Sequence, residues 1–357
     1  MKARSLFLAL LTLGILSWSC NKSEDSSTFK SSINSNLQQL SAALSKISAS
    51  TGYQVLSDGA YLKSATDSPV DSLLTNQILL SDILGVYDYK MPSLKRGPIV
   101  VQRYFNKTAD SSQMVVRMPE EKVKNCKTMF TFSAKDTALV NNYVISLSEY
   151  QYKFKQFVGF DYVMASSIKI KDVDAGVLKI HNSNNYVSGA SYNSEFAFAN
   201  GYNIKYVYSS GDTAVSSYSI TSGPKILYEE KYTAIKTKSD YRHREREFSL
   251  TIGDVQIIRK MGVKNSLDSA KVYVAGVLQP AAKVVIVDKT TDVTDVTLTS
   301  KKRELQITFE DGTKATYSQL AGAAVDNITT LFASMRQVYF ATDVVDWIAW
   351  DVYKHKK

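Results

Sequence analysis

Glu195-Phe196-Ala197-Phe198-Ala199-Asn200-Gly201-Tyr202-Asn203-Ile204-Lys205-Tyr206-Val207-Tyr208-Ser209 decides the architecture of this 357-residue chain. Two alternating runs flank Asn-Gly, the dipeptide that best accepts the positive φ angles of a two-residue hairpin loop. Asp311-Gly312 repeats the signal between Leu305–Glu310 and Thr313–Tyr317. Working outward, Ser210-Gly211-Asp212 and Ser222-Gly223-Pro224 punctuate further strands, and Val144–Lys155 reads as a longer one. Ile99–Phe105 and Gln113–Met118 read as the first strands, while Ile168–Val173 and Val177–His181 are split by Asp174-Ala175-Gly176. Breaks recur about every ten residues with little helical periodicity, so residues 98–318 are expected to form an antiparallel β body. Twenty-two tyrosines against six prolines and sixteen glycines fit long strands carrying amphipathic aromatics.

Both flanks turn helical. Phe29, Ile33, Leu37, Leu40, Leu44 and Ile47 recur at steps of three and four, a single apolar stripe expected to end at Gly52. Ser68-Pro69-Val70-Asp71 has the cap, first-turn proline and first-turn acid of a helix start, and Leu73, Leu74, Ile78 and Leu79 continue it to Gly85. Met91-Pro92 to Gly97-Pro98 closes this helical N-terminal region, residues 28–97. In residues 319–357, Val325, Ile328, Phe332, Met335 and Tyr339 form one stripe, and Asp343 is expected to cap a helix running through Val352. The expected fold is α+β and mainly β. A large antiparallel sheet, as a curved sheet, half-barrel or sandwich, carries amphipathic helices at both ends, the last packed on the β body.

The N-terminus supplies an address. Lys2 and Arg4 precede an apolar run from Leu6 to Leu16, which is shorter than the roughly 20 residues of a comfortable membrane span. Leu16-Ser17-Trp18-Ser19-Cys20 resembles the lipobox of bacterial lipoproteins, with Ser17 where the common form has an aliphatic residue. Asn21-Lys22-Ser23-Glu24-Asp25 resembles the acidic tether of surface lipoproteins of the Bacteroidota type. The resemblance covers about 27 residues and implies sorting alone. Residues 1–19 would be a signal peptide, Cys20 the carrier of acyl chains such as palmitate, and residues 20–27 a tether at the outer membrane or cell surface. It implies no activity.

Composition narrows the rest. At 44% hydrophobic and 22% charged residues the chain is globular. Its 43 basic residues less Lys2 and Arg4, against 34 acidic ones, leave a scattered +7 that argues for solubility near an anionic surface and against a nucleic-acid partner. With Cys20 acylated, Cys126 stands alone and no internal disulfide forms, so stability must come from packing.

Candidate sites are few. Tyr206, Tyr208 and Ile204 share one strand face, readable as a sugar-stacking platform or as a half-buried sheet surface. Arg242, Arg244 and Arg246 line one side of an extended segment, readable as an anion-binding comb or as a solvated arm paired with Glu229, Glu230 and Lys231. Trp347 and Trp350 either plug the core or border an apolar ligand cavity. No phosphate loop, zinc-protease pair or serine elbow is present, and His181, His243 and His355 lack ligand spacing, so no catalytic residue, metal or cofactor is expected. Asp172-Val173-Asp174-Ala175-Gly176 lacks the spacing of a calcium loop and reads as a turn. The expected function is that of a non-enzymatic binding or envelope-assembly lipoprotein with a protein or glycan partner. The alternative is a carrier of a lipid or other apolar ligand in a curved sheet closed by the terminal helices; a glycan-active hydrolase comes third.

Overall fold

The computed structural model describes residues 28–57, 75–91, 100–124, 139–237, 244–261, 270–288, 303–335 and 339–356. The expected signal peptide and tether with Cys20, and Cys126, Arg242 and the expected helix start at Ser68-Pro69, lie outside them. Helices α1 (Phe29–Ser48) and α2 (Thr51–Ser57) come first. β1 (Thr75–Leu79) and β2 (Gly85–Tyr89) flank a short 3₁₀ turn. Next come α3 (Val101–Tyr104), β3 (Phe105–Ala109), β4 (Met114–Met118) and α4 (Glu120–Lys124).

A long meander follows. It comprises β5 (Tyr143–Lys155), β6 (Gly159–Ile170), β7 (Val173–Asn185), β8 (Gly189–Phe198), β9 (Tyr202–Ser209) and β10 (Thr213–Ser222). It continues through β11 (Lys225–Lys236), β12 (Arg244–Ile252), β13 (Val255–Met261), β14 (Lys271–Val274) and β15 (Val277–Leu278). β16 (Lys283–Asp288), β17 (Arg303–Thr308) and β18 (Lys314–Thr316) form a second sheet. Helices α5 (Tyr317–Ala321), α6 (Ala323–Met335) and α7 (Tyr339–Lys356) end the chain.

The fold is therefore α+β and mainly β, with helices at both ends. Its large sheet has fifteen strands and is open, because the path runs from β15 to β3 without those ends pairing. From β5 to β15 every strand is antiparallel to the next, as the short turns between most of them favour. One pair departs from the antiparallel expectation: β2 runs parallel to β4 while pairing antiparallel with β3. β5 is long enough to serve two neighbours on one edge. Its Tyr143–Leu147 half pairs with β4 and its Gln151–Lys155 half with β1.

Several local expectations are corrected. Ile78 and Leu79 belong to the strand β1, not to a helix reaching Gly85; hydrogen bonding to the free edge of β5 overrides a spacing that suited either state. Strands β1 and β2 thus fall inside residues 28–97, so helix there is confined to α1 and α2 among the described residues. Val101–Tyr104 is one helical turn, with the strand beginning at Phe105. The turn of the β6–β7 hairpin lies at Lys171-Asp172, both at positive φ (52° and 65°), and Asp174-Ala175-Gly176 is inside β7. Asp343 sits within α7, which is already helical from Tyr339, and caps nothing.

Gly52 also has a different role from the expected stop signal. Thr28 caps α1 by accepting from Ser31 N at 3.3 Å, and the helix ends at Ser48. Gly52 lies in α2, where a Cβ would collide with the Ala175 carbonyl oxygen and the Phe198 ring. Its bare backbone lets α2 touch β7 and β8. The predicted stripe of α1 is buried throughout and lies on β11, β12 and β13. Asn36, on the same side, donates to Asp254 in the β12–β13 turn and pins the helix along its axis.

Leu40 is fully buried in that stripe. Leu40→Ala is expected to lower the unfolding free energy by about 2–5 kcal/mol in urea denaturation, while Ser41→Ala, on the exposed side, stays within roughly 0.5 kcal/mol.

Candidate functional site

Strand register aligns the helix-bearing face of the large sheet into ranks. Phe196, Ile204, Ile220 and Tyr228 oppose one another across β8–β11, and Ile252, Val255 and Val274 continue the row across β12–β14. All are buried. Two residues along each strand, Ser194, Tyr206, Tyr218, Glu230, Leu250 and Ile257 form a mixed rank. Two residues further on, an unbroken row of opposed pairs runs from β5 to β13: Tyr152, Tyr162, Asn182, Tyr192, Tyr208, Ser216, Tyr232, Phe248 and Arg259. Directly opposed residues share a face, so this outer rank is a continuous strip of aromatic and polar side chains. The other face carries Lys179, Glu195, Lys205 and Lys231, and there His181 Nε2 meets Asp161 Oδ1 at 2.9 Å.

The helices cover the ranks unequally. Phe332 of α6 lies 4.9 Å from the Tyr218 ring, which stacks on Tyr206 at 4.4 Å and 24°. The expected face of Ile204, Tyr206 and Tyr208 is therefore graded: Ile204 is core, Tyr206 is half-buried in a stack, and Tyr208 is 39% exposed. At the β5 end, α7 covers the outer rank. Trp350 meets Tyr152 edge-on at 5.1 Å, and Trp347 packs between Tyr104 (6.1 Å) and Phe105 (6.3 Å). The two tryptophans fill the corner joining α7 to α3, β3 and β5.

Beneath α7, Asp346 Oδ1 accepts hydrogen bonds from Tyr150 Oη at 3.0 Å and Tyr162 Oη at 3.1 Å. Burial raises the Asp346 carboxyl to about 7 against the opposing effect of both hydroxyls, and burial raises Asp343 to about 7 as well. Asp343 Oδ2 is enclosed without a hydrogen-bond partner. The same burial, reinforced by the Asp346 charge, holds both tyrosines protonated as donors. These carboxyls lie inside the helix–sheet interface and do not face each other across an open cleft.

At the opposite end of the outer rank, the large sheet and the second sheet part around a cavity of about 840 Å³. Tyr232, Phe248, Ile257 and Val272 form one wall; Val284, Ile286 and Leu305 form the other; Leu278 and Pro280 lie between. Arg259, Lys271, Lys283 and Glu304 also border it. A second depression, of about 590 Å³, lies at the corner between α1 and α2 beside Lys46, Asp174, Asn200 and Tyr202. Its Asp174 pairs with Lys169 at 3.3 Å.

Of the arginine comb, Arg246 is exposed on β12, opposite Ala234 and Met261. Residues Arg244 to Glu247 oppose Lys236 to Thr233, which corrects the expected pairing with Glu229, Glu230 and Lys231. Strand register places those three opposite Thr251, Leu250 and Ser249, and among the described residues Glu247 forms a charge pair with Lys260, at 3.8 Å on β13. Sequence reasoning missed Arg259 and the cavity walls. Their shared face follows from counting register through consecutive hairpins, but the opposing sheet has no such local signal. Comparison with known protein families, curated proteins and solved structures finds no match.

Asp343 and Asp346 bind protons in the folded chain that the unfolded chain has released, so their contribution to stability falls as pH rises from about 4 through about 7. Asp88 and Glu120 act in the opposite sense at lower pH. Burial alone would raise them, but Arg117 with the Thr108 hydroxyl outweighs it for the first and Lys124 with Lys171 for the second. Wild type is therefore expected to melt lower at pH 8 than at pH 5.5, and Asp346→Asn to reduce that difference, as read by circular dichroism melts.

Proposed function

We propose that this protein is a non-enzymatic, lipid-anchored envelope component that binds an apolar ligand between its two sheets. The inter-sheet cavity carries the reading. Its volume lies within the roughly 300–1,000 Å³ of small-molecule sites, and aliphatic and aromatic side chains supply both walls. The ligand site thus differs in place from the one anticipated behind Trp347 and Trp350, whose rings are packed against neighbours. The anchor at Cys20 and an outer-membrane or surface location rest on the lipobox-like sequence, and they would keep such a ligand within reach of its membrane.

A second reading has its own observation. The half-exposed middle of the outer rank, with Tyr192 and Tyr208 beside Asn182 and Ser216, offers aromatic faces and neutral hydrogen-bonding groups to a glycan partner.

Titration with the environment-sensitive apolar dye N-phenyl-1-naphthylamine is expected to saturate at one site per chain. Leu305→Glu, which places a carboxylate in the wall, should weaken binding about tenfold or more while leaving the circular dichroism spectrum unchanged. Dye binding indifferent to this substitution would overturn the assignment. Glycan binding lost in Tyr208→Ala, with no dye binding at all, would favour the second reading.

A further inference from the structure

We infer that the ligand of the inter-sheet cavity is a single-chain anionic amphiphile whose head group is held by Arg259, an inference that rests on the apolar-ligand reading above. Arg259 ends the outer rank, directly opposite Phe248, so its side chain lies on the cavity face of β13. It is half-buried. Among the described residues no carboxylate pairs with it, although a guanidinium keeps its charge at every physiological pH. Glu304, the acidic residue on the cavity border, is engaged elsewhere and accepts from Ser318 Oγ at 2.6 Å.

Lys271 and Lys283 begin the strands beside the same opening, so among the described residues the border carries three cations against one carboxylate. A partly desolvated cation beside an apolar chamber is complemented by a ligand that brings an anion and an alkyl chain together. The planar guanidinium fork suits the paired oxygens of a carboxylate or a phosphate monoester. Those two heads are the shared chemistry, and the fatty acid and the alkyl phosphate are its two sources.

The test uses the full chain and displacement of N-phenyl-1-naphthylamine at neutral pH by dodecanoate, dodecyl phosphate and methyl dodecanoate, which share one tail. Both anions are expected to displace the dye at concentrations about tenfold or more below the ester. The tighter of the two names the source. Arg259→Gln should remove the advantage of the anions and leave the ester unchanged, while Arg259→Lys should restore part of it. The head-group assignment is overturned if the ester competes as well as the anions in wild type, or if Arg259→Gln weakens all three alike. Failure of all three to displace a dye that binds at the cavity would overturn the amphiphile assignment and leave the apolar-ligand reading standing, whereas that reading fails if the dye does not bind or binds indifferently to Leu305→Glu.

Discussion

The structure depends on one constraint: a fifteen-stranded open sheet with an apolar face on one side has to be covered by elements that the sheet does not itself supply. No single helix spans such a width. Coverage is shared, with α1 lying on β11–β13, α2 on β7, α6 on the tyrosine stack of β9 and β10, and α7 on the β5 end. Burial of the inner rank, from Phe196 through Tyr228 to Val274, is what fastens these pieces to the sheet. Where the covers do not meet, aromatic and polar side chains remain half-exposed, and at the β12–β14 end the second sheet meets the large one where β16 touches β14 and leaves a cavity beside that contact.

Covering the sheet also brings polar groups into the interface. Asp346 is enclosed with two donors, which Tyr150 and Tyr162 provide from adjacent strands and which lower the cost of burying it. The arrangement fixes α7 over β5 and β6, at the cost of holding a carboxyl in surroundings that disfavour its charge. Asn36 does the same service for α1 through Asp254, at the far end of the sheet. Each terminal helix thus makes a polar contact beside its apolar stripe, which favours one axial placement among those that burial alone would allow.

Much of this was legible wherever the deciding forces are local. Asn200-Gly201 and Asp311-Gly312 encode their turns in the positive φ they tolerate, 86° and 79° at the glycines. The stripe from Phe29 to Ile47 encodes a helix by spacing, and all six of its members are buried. Ile78 and Leu79 were not legible, because their helix-compatible spacing yields to an unpaired edge on a strand more than sixty residues later. Nor was Asp343, since the first turn of α7 precedes it and its Oδ2 is enclosed. The cavity was hidden for the strongest reason. Its walls come from β11–β14 and from β16–β17, and nothing within either segment announces that the other will face it.

Apolar occupancy of that cavity is the central claim, and native mass spectrometry of the full chain, purified gently from its native source without delipidation, tests it most directly. A discrete non-covalent additional mass of lipid size, absent when Leu305 is replaced by glutamate, is the predicted result. A chain that carries no such non-covalent mass, or whose extra mass persists unchanged in that variant, would contradict it.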